Sequence, residues 1–173
     1  ELRDLKLHNG TVWRWNRPIY DTSQGVPHLR VENRVLPAGP SVVDTVANAC
    51  FYYGLLEAAT TSGRPIWTKM AFRTAEKNFV DAAKHGIHSV HSWPGLGRMP
   101  VTELVADHLL SVADDGLAAL GLRREVRSHY LSVIEGRCRA RTNGASWQIA
   151  VTEAFEAAGR PREEGLREMF RLY

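Results

Sequence analysis

The sequence predicts an α+β fold: a small antiparallel sheet segment at the N-terminal end, then a helical subdomain. Three observations predict it. Residues 11–17 and 28–36 alternate along the chain with the period of two that marks strands. From Ser41 onward the apolar residues recur instead at helical spacing. Gly and Pro then punctuate the rest of the chain at helix-length intervals.

Taken in order, "TVWRWNR" (11–17) is rich in β-formers, and Pro18 removes a backbone donor, so this strand ends there or lies at an edge. "DTSQGVP" (21–27) is turn chemistry, and residues 28–36 form the second strand of an antiparallel hairpin with a loose loop. "PAGPS" ends the sheet. Val42, Val43, Val46, Ala49, Cys50, Tyr53 and Leu56 then mark a helix, with Ser41 as N-cap and Gly63 as the stop. Further helices are expected over 74–85, closed by Gly86, and over 101–120, closed by Gly121. Residues 123–140 precede a "TNG" turn, 145–158 end at Gly159, and 162–172 follow Pro161. "IHSVHSWPGLGRMP" (87–100) reads as a hairpin or irregular excursion. With no internal repeat, the 173 residues read as a single domain, strands over about 11–36 and helices over about 41–173.

Composition narrows the class. Apolar residues make up 44% and charged residues 24%, as in ordinary globular chains. The net charge of +3 suits an anionic small molecule as well as nucleic acid, and the lack of a Lys/Arg-rich tract argues against nucleic acid. Cys50 and Cys138 make no disulfide framework and suit a reducing, cytoplasmic setting. No apolar run approaches the ~20 residues of a membrane span, and no signal-peptide pattern is present, so no membrane association is expected.

The stretch with chemical content is "HLRVENRVL" (28–36). Arg30, Glu32 and Arg34 share one strand face, ~6.5–7 Å apart, while Leu29, Val31 and Val35 point the other way. A carboxylate between two guanidiniums can hold a divalent cation while the arginines grip anionic oxygens. The same pattern also describes a plain charge ladder, each pair contributing ~0.2–1 kcal/mol to the strand. The apolar face is expected to pack beneath the helix that begins near Ser41, leaving the charged face to line a concave surface.

"RVENRVLPAGPSVVDTVANACFYYGLL" resembles the signature of the glutamine-synthetase-like ligases, in which an Arg-x-Glu-x-Arg strand leads through a proline turn into a helix of small residues. "LHNGTVWRWNRPIYD" is similar, more specifically, to the glutamate–cysteine ligase (carboxylate–amine ligase) family, as are "AEKNFVDAAKHGI", "WPGLGRMPVTELV" and "RCRARTNGASWQ" further on. The resemblance implies part of a glutamine-synthetase-like catalytic domain using ATP and Mg²⁺. Such an enzyme phosphorylates the side-chain carboxylate of glutamate, and the amine of cysteine, or of another substrate in a sister ligase, attacks the acyl phosphate. Carried over by position, Glu32 would bind metal, Arg34 would contact the transferring phosphoryl group, and Arg30 would contact the nucleotide phosphates. Asn9, Trp13 and Arg17 would border the site, although Trp13 and Trp15 fit packing roles equally well.

The family also uses a Gly-x-Glu-x-Glu strand for its remaining metals, and these 173 residues contain none; Glu103, Asp114 and Glu163 do not reproduce it. The chain, which opens at Glu1 without a methionine, is therefore expected to be the C-terminal portion of a larger ligase, inactive alone. Its expected partners are the remaining N-terminal half or further copies of itself. A non-catalytic binding module or subunit is the rival from another class.

Other features carry less. His85, His88 and His91 are regularly spaced, but Gly86 breaks the helix between them, so a zinc site is not expected. Cys50 sits among apolar helix positions and reads as core. Asn143 and Gly144 read as a C-cap rather than as a helix N-terminus aimed at an anion. "GLG" (95–97) is too short for a phosphate loop.

Overall fold

The computed structural model describes residues 16–22, 25–37 and 39–173. The fold is α+β, predominantly helical, with two antiparallel sheets of two strands each among the described residues. Two compact units meet in sequence at Pro37/Ala38.

In the N-terminal unit, β1 (Asn16–Asp21) pairs with β2 (His28–Asn33) in an antiparallel register that places Arg17 opposite Glu32 and Asp21 opposite His28. Both strands differ from expectation. β1 runs through Pro18, opposite Val31, rather than ending there. In a two-stranded sheet each strand is an edge, where a missing donor is tolerated. β2 stops at Asn33, whose side-chain Oδ1 accepts the Val35 N–H at 3.1 Å and turns the chain out of the ladder. Residues 11–15 of the expected first strand lie outside the described residues.

Within the N-terminal unit the apolar face of β2 is not enclosed. Leu29, Val31 and Val35 are 66%, 68% and 44% exposed. A two-stranded hairpin has no second layer of its own to bury a face. The charged face is the better covered of the two.

In the C-terminal unit, α1 (Val42–Thr61) starts at Ser41, whose hydroxyl oxygen accepts the Asp44 N–H at 3.2 Å. It ends at Ser62, one residue ahead of the expected Gly63 stop. A 3₁₀ turn (Ile66–Thr68) leads to α2 (Phe72–His85), closed by Gly86 at φ 53°. The 87–100 excursion is a hairpin of β3 (Val90–Trp93) and β4 (Gly97–Pro100). Asn78 of α2 fastens it by exchanging two hydrogen bonds with the backbone of Ser92, at 2.8 and 3.0 Å.

The expected helix over 101–120 is interrupted. α3 (Val101–Leu104) passes through a π segment (Val105–Leu109) into α4 (Leu110–Ala119). α5 (Arg124–Ala140) ends at Arg141, the one non-glycine residue with positive φ among those described. α6 (Gly144–Ala157) and α7 (Arg162–Leu172) complete the unit and pack on each other. The expected C-cap role of Asn143 is corrected. Its Oδ1 accepts the Ser146 N–H at 2.9 Å and the Ser146 hydroxyl oxygen accepts the Asn143 N–H at 2.8 Å, a reciprocal cap that starts α6.

The core lies where α1, α4 and α5 meet, around Cys50, Ala113, Leu117 and Leu131. Val46, Phe51, Leu55 and Tyr130 pack against it. Full burial of a side chain such as Leu117 contributes ~1.5–3 kcal/mol. α1 and α4 cross at backbone contact distance: a Cβ on Gly54 would stand 2.3 Å from the Ala113 carbonyl oxygen, and one on Gly116 would stand 2.0 Å from that of Gly54. Only glycine permits this approach.

Candidate functional site

Strand alternation and hairpin register together build the charged face. Arg17, Ile19 and Asp21 of β1 stand opposite Glu32, Arg30 and His28 of β2, and directly opposed residues share a face. Arg34 follows just beyond β2 and turns back onto this face.

Glu32 is its centre. Its Oε2 accepts from Arg17 Nε at 2.9 Å and Nη2 at 2.6 Å, and its Oε1 accepts from Arg34 Nε at 2.7 Å. The side chains of Arg17, Glu32 and Arg34 are 27%, 34% and 24% exposed. The hydrogen bond from Arg34 holds the Glu32 carboxyl below its ordinary range; partial burial opposes this and Arg17 reinforces it. Glu32 is thus ionised at neutral pH and anchors two guanidiniums at one point. Further along, Arg30 Nη1 donates to Asp21 Oδ2 at 3.1 Å and to His28 Nε2 at 2.6 Å. Among the described residues the face therefore carries three guanidiniums against two carboxylates. Such a row offers fixed forks to anionic oxygens, with the acids setting their directions.

Arg17, Arg30, Glu32 and Arg34 are thus brought together. Asn9 and Trp13 lie outside the described residues. Both Glu32 oxygens already accept from arginine, and among the described residues no three His, Cys, Asp or Glu side chains stand together as metal ligands. The described residues alone do not make a seat for Mg²⁺.

Sequence reasoning missed a polar tie in the C-terminal unit. Arg137 of α5 donates to Asp44 Oδ1 and, at 2.7 Å, to Asn48 Oδ1, both on α1. The Ser41 hydroxyl donates to Asp44 Oδ2 at 2.6 Å. Hydrogen bonds from Ser41 first, then Arg137, hold the Asp44 carboxyl below its ordinary value. The available signal was the i, i+4 spacing of Asp44 and Asn48 on one helix face.

The remaining candidates stay structural. His91 is partly buried, which lowers its pKa, and lies 3.1 Å from the Ser89 hydroxyl. Burial pushes the thiols of Cys50 and Cys138 up, away from the thiolate a nucleophile needs. Asp114 pairs with Arg127 at 2.7 Å, and Glu103 stands 3.8 Å from Arg141. Among the described residues no helix is long and apolar enough to cross a membrane. Comparison of the chain with protein-family models, curated proteins and solved structures returns no match.

Proposed function

We propose that this chain is part of a cytoplasmic, ATP- and Mg²⁺-dependent carboxylate–amine ligase that joins the side-chain carboxylate of glutamate to the amine of cysteine through an acyl phosphate. The observation that carries the reading is the convergence of Arg17 and Arg34 on the two oxygens of Glu32, with Arg30 next along the same face. Phosphoryl transfer requires little covalent chemistry from the protein. It requires anionic oxygens to be positioned and their charge neutralised. Arg34 would grip the transferring phosphoryl group, and Arg30 and Arg17 the oxygens beside it. Glu32 would orient two of these forks and offer one carboxylate to a metal whose other ligands come from outside the described residues. The ligands of the reading are ATP, glutamate and cysteine or a related amine. The remaining half of the ligase, or a further copy of the chain, would be its partner.

A second reading has an observation of its own: Glu32 and Arg30 already have ionic partners within the hairpin, as in a charge ladder. Glu32→Gln in the ligase that carries this chain separates the two. It preserves shape and one acceptor while removing the charge that anchors Arg17 and Arg34. Turnover in a ligation assay should fall on the order of 10²–10³-fold, the usual loss for a contact made to transition-state charge. The thermal midpoint should hardly move. Near-normal turnover at unchanged Mg²⁺ demand would leave only the ladder.

A further inference from the structure

The C-terminal unit holds an open cleft of about 470 Å³ that the proposed chemistry does not use, with Leu56 and Val112 at its exposed rim. Its walls come from separate elements: Leu55 and Leu56 of α1, Trp93 of β3, Leu109 at the end of the π segment, and Val112 of α4. The volume lies within the ~300–1,000 Å³ of small-molecule sites, and the lining is mainly apolar, as such sites are.

Two cations at this lining break the pattern. Arg64 and Lys69 both belong to the segment that links α1 to α2. Lys69 Nζ donates to the Ser62 hydroxyl at 3.1 Å, a neutral partner that leaves its charge uncompensated. Among the described residues neither Arg64 nor Lys69 forms an ion pair. The π segment is a third feature. Helices seldom adopt this winding, and it recurs at ligand sites. Here it brings Leu109 to the cleft wall.

We propose that this cleft binds a small amphipathic carboxylate of eight to ten carbons in all, its alkyl body lying between Leu56, Trp93 and Val112 and its head group held by Arg64 and Lys69. Such a molecule, with about a dozen non-hydrogen atoms, fits the volume with room to spare, since a water-sized group takes ~30 Å³. Both guanidinium and ammonium suit a carboxylate, and the apolar walls account for the rest of the ligand. The assignment is independent of the ligase reading, because it uses none of Arg17, Arg30, Glu32 and Arg34.

The bland alternative is that Arg64 and Lys69 merely offset the carbonyl end of α1. Calorimetric titration of the 173-residue chain with octanoate, 1-octanol and butyrate separates them. Octanoate should bind saturably at one site, octanol at least tenfold more weakly, and butyrate about a hundredfold more weakly through its four missing methylenes. Arg64→Gln with Lys69→Gln should weaken octanoate tenfold or more and leave octanol unchanged. Ala59→Trp, at an exposed wall position, should block both ligands, with Val112→Trp as the filler from the opposite wall should Ala59→Trp not fold. Thermal melts verify folding of each variant. Absence of saturable octanoate binding overturns the proposal, as does full affinity in the charge variant. Equal affinity for octanol does too, and would mark an apolar slot for a side chain of another protein.

Discussion

Replacing Gly116 with alanine tests whether the α1–α4 crossing organises the core. A Cβ there would lie 2.0 Å from the Gly54 carbonyl oxygen and 2.8 Å from its carbon, and both obstructing atoms are backbone. Real Cβ atoms essentially never come within 3.0 Å of such neighbours, so the helices must part by about 1 Å. A gap of that size forfeits a quarter to a half of the dispersion well at each lost contact. The contacts at risk include Cys50, Ala113 and Leu117. Overpacking of this kind costs ~1–3 kcal/mol, and the upper end applies because no side-chain rotation relieves the clash. Alanine recovers ~1 kcal/mol through its better helix propensity. The net loss should be about 2 kcal/mol, a fall in melting midpoint of roughly 4–8 °C for a chain of this length. Gly136 of α5 supplies the control, because a Cβ there meets nothing within 4 Å. Gly136→Ala should show the propensity gain alone, a rise of roughly 2–4 °C. Circular-dichroism melts of both variants decide it. A Gly116→Ala midpoint at or above wild type would refute the close crossing.

Two further outcomes follow from the caps. Asp44 has a depressed folded pKa, so its contribution should be present in full above its unfolded value of 3.8 and be lost as pH falls through the lower folded value. Asp44→Asn should therefore lower the melting midpoint by several degrees at pH 7, and that gap should begin to narrow only below about pH 4 and vanish beneath the lower folded value, as read from paired melts across pH. Asn143→Ala should cost ~1 kcal/mol, and Asn143→Asp little, because either Asn or Asp can accept the Ser146 N–H; equal melting of the two would remove the N-cap role.

Much of the helical unit was legible because its signals are local. Ser41, Gly86 and Pro161 each act within a turn of the boundary they mark. Asn143 was misassigned because asparagine suits both the end of one helix and the start of the next, and only the direction of its carboxamide separates them. At the candidate site, alternation showed that Arg30, Glu32 and Arg34 share a face. It could not show that Arg17 stands opposite Glu32, since that depends on the hairpin register set by the connecting loop. The tie from Arg137 to Asp44 spans 93 positions, and the cleft draws its walls from residues between Tyr52 and Val112. Neither leaves a local trace, because each depends on which helices become neighbours.

The π segment bears on how this helical stretch counts its residues. Leu104 and Leu109 are both buried, at 1% and 7% exposure, yet they stand five positions apart. On a regular α-helix five steps of ~100° would put them about 140° apart, one facing inward and the other well around the side. The wider winding over Val105–Leu109 absorbs the difference, after which Ala113, Gly116 and Leu117 resume the ordinary spacing of three and four. The stretch thus holds one residue more than a continuous helix needs to keep its inner face aligned. Removing one residue within it brings Leu104 and Leu109 to a spacing of four and returns them to a common face. The same removal within α4 would turn the residues beyond it by ~100° and carry Leu117 off the core.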